Sequence, residues 1–301
     1  MAGSRPVGSP VRWQAWPGVM CLMLALAAHQ AWAGGPQPLS DDTLSAVSGR
    51  DGLAFNLRGF AMDGTLTLTY TSPDDGNPSL WLGNWAMSRS DDEAHTFADP
   101  YRFNVVGRPG LSDVLVFSEP ANADGLLRWQ FAADWGVQAN GSTANGGAVI
   151  VRDLVQRGGG FDISTPADPV VQGMAFGQRI RTDIGALIFR AQGRGDATLI
   201  DDPASPSQLA FKGIHLAGAD GQPWAISDVT WQPGIFNAVT DADGRSYLHY
   251  GIAWSSRPEG APVGSLVIDN ISFKSEATGN LNLGSSRIGG IQLQYLDVKF
   301  R

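Results

Sequence analysis

The stretch Ile291-Gln-Leu-Gln-Tyr-Leu-Asp-Val-Lys-Phe300 alternates apolar and polar side chains, but it changes phase in the middle. Ile291, Leu293 and Tyr295 share one face, whereas Leu296, Val298 and Phe300 share the other. A period of two marks a half-buried β-strand. A phase change between Tyr295 and Leu296 requires either a β-bulge or a strand that passes from one sheet to another. The fold is therefore read as all-β, with predominantly antiparallel sheets forming a sandwich or a strongly curved sheet.

Earlier segments repeat the pattern. Thr65-Leu-Thr-Leu-Thr-Tyr70 sets threonines on one face and Leu66, Leu68 and Tyr70 on the other. Further strands are read at 80–87, 101–106, 114–117, 126–135, 148–155, 173–181, 185–191, 209–216, 225–231, 246–254 and 266–273, most of them bounded by Gly, Pro, Asn or Asp. Asn122-Ala-Asp-Gly125, Gly218-Ala-Asp-Gly221 and Asp241-Ala-Asp-Gly244 each end in Asp-Gly between apolar runs, a signature that predicts three hairpins. Their unequal spacing argues against a fixed-period solenoid.

Composition points the same way. Of 29 acidic residues 25 are Asp, only three lysines occur, and there are 38 glycines and 18 prolines. Glu and Lys form exposed helices well, whereas Asp bonds its own backbone in turns, so helices have little to be built from.

The first 33 residues read as an export signal. Arg5 and Arg12 precede the apolar run Val19–Ala28, and Ala31-Trp-Ala33 forms a cleavage site. That run falls well short of the roughly 20 residues needed to span a bilayer. Cleavage after Ala33 would remove the one cysteine, Cys21, and leave 268 residues with 19 basic and 29 acidic side chains. The resulting formal charge of −10 disfavours nucleic acid or anionic lipid as partners. Without a disulfide, stability must come from a core, and residues 34–301 are read as one β-rich domain.

One short helix is expected at its head, over 39–49. Ser40 serves as N-cap, Asp41 and Asp42 set negative charge in the first turn, Leu39 and Leu44 form a hydrophobic staple, and Gly49 closes the C-terminus. Two turns of helix do not persist alone in water, so Leu44 and Val47 should dock on the sheet. Arg50-Asp-Gly52 then turns the chain into the strand Leu53–Leu57.

No catalytic constellation emerges. The chain has no G-x-S-x-G elbow, and Arg157-Gly-Gly-Gly160 lacks the Lys-Ser/Thr of a phosphate loop, so it reads as a tight turn. His215 and His249 could meet from neighbouring strands, but two ligands do not close a metal site, and satisfied strand histidines are the simpler reading. Paired carboxylates occur at Asp74-Asp75, Asp91-Asp92-Glu93, Asp201-Asp202 and Asp241-x-Asp243. Asp241 and Asp243 open like a calcium loop but lack the later ligands, so no cofactor is implied and solvated turns are expected. The tryptophans of the mature chain (Trp81, Trp85, Trp129, Trp135, Trp224, Trp231 and Trp254) read as packing residues, with sugar stacking as the alternative.

The spacing Leu39-x-Asp41-x-x-Leu44-x-x-Val47-x-Gly49-x-x-Gly52 resembles the opening motif of FilA-like secreted proteobacterial proteins, a pilus- or filament-associated group. Arg50 stands where that motif has glutamine. The resemblance implies a short helix leading into β structure and no catalytic residues. It also implies envelope or filament proteins as partners. The expected function is thus an exported envelope or cell-surface β protein with a structural or interaction role. The alternatives are an outer-membrane β-barrel and a carbohydrate-binding or carbohydrate-cleaving β domain. Membrane association is not favoured, because strands such as Leu80–Met87 are apolar on both faces, which suits a packed core better than a polar lumen.

If Leu44 and Val47 dock, replacing both with Asp should cost about 3 kcal/mol in chemical denaturation. Unchanged stability and localisation would make the segment an exposed recognition tag.

Overall fold

The structure, a computed structural model, describes residues 52–300 except 56, 58, 73–77, 92–98, 195–206, 276 and 278. The expected helix at 39–49 lies outside the described residues, and among those residues there is no helix at all.

The strands are β1 (Leu53–Phe55), β2 (Ala61–Gly64), β3 (Leu68–Thr71), β4 (Ser79–Arg89), β5 (Tyr101–Arg108) and β6 (Leu111–Ser118). These are followed by β7 (Trp129–Ala139), β8 (Ser142–Gln156), β9 (Gly160–Ser164), β10 (Met174–Ile180), β11 (Thr182–Arg190) and β12 (Gln208–Gly218). The last are β13 (Trp224–Ser227), β14 (Gly234–Thr240), β15 (Ser246–Ile252), β16 (Gly264–Ser275), β17 (Gly279–Ile291) and β18 (Leu296–Phe300).

Two antiparallel sheets result. One runs β1-β5-β6-β9-β10-β14-β15-β18, with β13 also on β10; the other runs β17-β16-β12-β11-β8-β7-β4-β2, with β3 also on β4. Both orders follow the chain, because the two sheets are halves of one meander. The chain passes from one sheet to the other between β4 and β5, β6 and β7, β8 and β9, β10 and β11, β12 and β13, β15 and β16, and β17 and β18, and the line of these crossings is a crease between the sheets. The phase change at Tyr295–Leu296 is such a crossing: β17 ends at Ile291 in one sheet and Leu296 opens β18 in the other, opposite Ile252.

The crease also corrects the turn assignments. Asp241–Gly244 does close a hairpin, between β14 and β15. Asn122–Gly125 instead joins β6 to β7, and Gly218–Gly221 joins β12 to β13; each pair of strands belongs to different sheets. A tight turn redirects the chain locally, and its flanks pair only when both stay in one sheet. Two strands unread in the sequence, β9 and β14, fill the places in the first sheet that these crossings require. Thr65–Thr67 is not strand, so β2 and β3 form two short halves of one edge along β4.

Each sheet has a large-side-chain face. In the first, Val105, Leu115, Ile163, Phe176, Gly234, Ile252 and Leu296 stand opposite one another in a row. In the second, Ala133, Val149, Phe189, Leu209, Phe273 and Leu281 form another. Near the crease these faces meet. Tyr101, Leu127 and Trp129 are buried in one cluster with Phe55, Met87, Phe117 and Leu154, and the Trp129 indole N–H donates to the Tyr101 hydroxyl at 3.2 Å. Phe55 stacks on Tyr101 at 5.4 Å between ring centroids. Each such ring buried contributes about 1.5–3 kcal/mol.

Arg157-Gly-Gly-Gly160 forms the crease between β8 and β9, as a tight turn. Gly160 has φ +153°, and a Cβ there would run into the Phe117 carbonyl. Gly160→Ala is therefore expected to cost about 2–3 kcal/mol, because strain and steric overlap coincide. Urea denaturation would measure it, and no loss would mean that the crease is not fixed at this position.

Candidate functional site

The sites singled out in the sequence are not brought together. Gly52 is in left-handed backbone at φ +60°, as the turn before β1 requires, and a Cβ there would overlap the Asn104 side chain. Leu39, Ser40, Asp41, Leu44, Val47 and Gly49 lie outside the described residues, as do Asp74, Asp75, Asp92, Glu93, Asp201 and Asp202.

The Asp241 carboxylate is spent on its own hairpin: one oxygen accepts the N–H groups of Asp243 and Arg245, each at 2.9 Å, and the other accepts the Tyr247 hydroxyl. Asp243 is exposed and lies 3.8 Å from Arg245. His215 lies on β12 and His249 on β15, in different sheets. His215 pairs with Asp183 at 2.8 Å, and His249 with Asp297 at 2.9 Å and Asn237 at 2.7 Å. The hydrogen bond to Asp183 raises the His215 pKa above the usual histidine value. Among the described residues no group of three or more His, Cys, Asp or Glu side chains is placed to hold a metal ion. Trp85, Trp129 and Trp224 are buried, whereas Trp254 is 66% exposed and stacks on Tyr295 at 5.5 Å.

A polar cluster escaped the sequence reading. Asp162, at the centre of β9, is fully buried and bound by two guanidinium groups: Arg108 at 2.8 Å, and Arg179 at 2.8 and 3.0 Å in a two-pronged pair. A buried carboxylate is tolerated only when paired in this way. Its partners lie 54 and 17 residues away, so no local signal could have shown them. Arg108 also lies 3.8 Å from Asp228, which closes the cluster electrostatically. The neighbouring Glu119 is bound by Gln156 at 2.6 Å. Burial pushes the Glu119 pKa up to about 7, although the Gly159 backbone, Arg179 and Gln156 all pull it down. The geometry of the cluster is that of a brace within the first sheet.

The surface that stands open is elsewhere. On the large-side-chain faces, exposure grows with distance from the crease: Tyr101 is 5% exposed and Val105 47% on β5, while Trp129 is 4% and Val137 46% on β7. It grows again toward β17, where the row Val149–Phe189–Leu209–Phe273 ends at Leu281. Leu281, Leu283 and Ile288 are all exposed, and β17 pairs only with β16 among the described strands. The free side of this thirteen-residue strand thus presents backbone donors and acceptors of alternate residues beside apolar side chains, the combination by which a sheet accepts another strand.

Compared with known proteins, the chain matches no family model and has no significant match among curated proteins or solved structures.

Glu119 carries a pH prediction. Its folded pKa of about 7 lies above the ordinary 4.5, so the folded state holds the proton more tightly than the unfolded chain does. Glu119 therefore favours folding below about pH 4.5, and that contribution is lost as pH rises toward 7. Glu119→Gln should flatten the decline in stability between pH 5 and 8 and exceed the parent at pH 8. Parallel urea titrations across that range test it; identical slopes would show that Glu119 is not the titrating group.

Proposed function

We propose that the protein is an exported envelope or cell-surface β protein with a structural or interaction role, acting through the open edge of its second sheet. The unpaired β17 with exposed Leu281, Leu283 and Ile288 is the observation that carries this reading. Natural edges are usually shortened, charged or covered, and a long apolar one marks a partner surface. The export-signal reading and the acidic balance of the mature chain support a partner outside the cytoplasm that is a protein rather than nucleic acid. The likeness to FilA-like proteins is compatible with a partner in the pilus or filament machinery.

An outer-membrane barrel is the weaker reading. A barrel has no edges, whereas here β17 and β18 at one end and β1 to β3 at the other are not paired with each other. A carbohydrate-binding role is the second reading, and the exposed Trp254–Tyr295 stack favours it.

Fractionation and in-cell photo-crosslinking test the first reading. The mature chain should begin after Ala33, be released without detergent, and crosslink to an envelope protein from a probe at Leu283. Ile288→Lys should abolish that crosslink while moving Tm by no more than about 2 °C, as a surface change should. Detergent-dependent, heat-modifiable protein would support the barrel instead. Glycan binding that Trp254→Ala abolishes would favour the second reading.

A further inference from the structure

We infer that β17 pairs antiparallel with β17 of a second copy of this chain, forming a two-fold dimer whose sheets run on continuously. The inference rests on the interaction reading above and names its partner.

Three observations select a second copy. First, β17 is self-complementary. A two-fold axis through Ser286 sets Leu283 of one copy opposite Gly289 of the other, Ile288 opposite Gly284, and Leu281 opposite Ile291. Each large side chain then meets an apolar partner or a glycine, so neither copy obstructs the other. Second, charge does not oppose the pairing. The segment carries one charged residue, Arg287, and the same register sets it opposite Ser285 rather than opposite its own mate. Like charges directly opposed are what usually prevent such pairing.

Third, the other edges cannot take β17 equally well. β2 and β3 offer four residues each and are interrupted at 65–67, and the Asp63 carboxylate of β2 is held by Arg194 at 2.8 Å. β1 has three residues, and β18 has five, with Asp297 and Lys299 both exposed. Head-to-tail joining of β17 to β2 and β3 would thus be short and broken, and it would leave the chain growing as an open polymer. Pairing about a two-fold axis uses the same surface twice and closes.

The test uses the full mature protein. Light scattering after size exclusion, over a range of concentrations, should show a dimer, and Ile288→Lys should return it to monomer with Tm unchanged. Because the mature chain lacks cysteine, Ser286→Cys supplies a single reporter, which should form a disulfide-linked dimer on mild oxidation. Thr240→Cys, exposed on β14, should not. An open-ended polymer, or a dimer linked equally well through both positions, would overturn the two-fold pairing. A parent protein that stays monomeric while a probe at Leu283 still captures a different envelope protein would overturn the dimer and leave the interaction reading standing. Monomer with no crosslink to anything would sink both.

Discussion

Everything in this fold depends on a strand bending without giving up its backbone hydrogen bonds. At each crossing the chain must leave one ladder and enter another, and any amide stranded there costs about 1–3 kcal/mol. The crease meets this constraint in different ways along its length. Between β10 and β11 only Arg181 intervenes, and its carbonyl accepts the Arg157 amide at 2.9 Å. Between β8 and β9 the glycines turn the chain, and the Gly158 amide reaches the Pro120 carbonyl at 2.7 Å. Between β6 and β7 the excursion is longer, and buried Asn122 bonds Leu127 in both directions.

The same constraint explains where polar and apolar material lies. Close to the crease the two large-side-chain faces converge, so Tyr101, Trp129 and Trp224 find cover. Away from it the cover thins, and side chains on the same faces emerge into solvent. Ion pairs brace the small-side-chain faces. Asp162 with its two arginines ties β5, β9 and β10 together, and Arg194, bonded to Asp63, Asn84 and the Asp134 carboxylate, ties the connection after β11 to β2, β4 and β7. A buried pair of this kind adds little net stability over an apolar replacement, but removing one partner leaves an uncompensated charge. Its effect is to fix which strands stand beside one another.

Bending also creates the open edge. A meander folded along a crease has two free ends in each sheet, and only closure would remove them. The N-terminal end is short and interrupted, whereas the C-terminal end is long and apolar. The asymmetry leaves one long edge among the described strands that can accept another strand.

Much of this was legible in the residues. Alternation specified strands, the phase change at Tyr295–Leu296 specified either a bulge or a crossing between sheets, and Asp241–Gly244 specified a hairpin. These are local properties, set by side-chain direction and by the φ that a turn demands. The candidate surface is half visible in the residues: Leu281 and Leu283 alternate with asparagines, as strand residues do, but nothing local tells whether a strand has one neighbour or two. β9 was hidden because Asp162 interrupts its apolar pattern, and the arginines that make that charge tolerable come from distant strands. Asn122–Gly125 and Gly218–Gly221 were legible as turns but not as crossings. The sequence by itself determined which segments are strands and where they turn. Only the tertiary structure decided which sheet each half-strand joins, which charges pair and which edge stays open, because those outcomes depend on contacts between residues far apart in the chain.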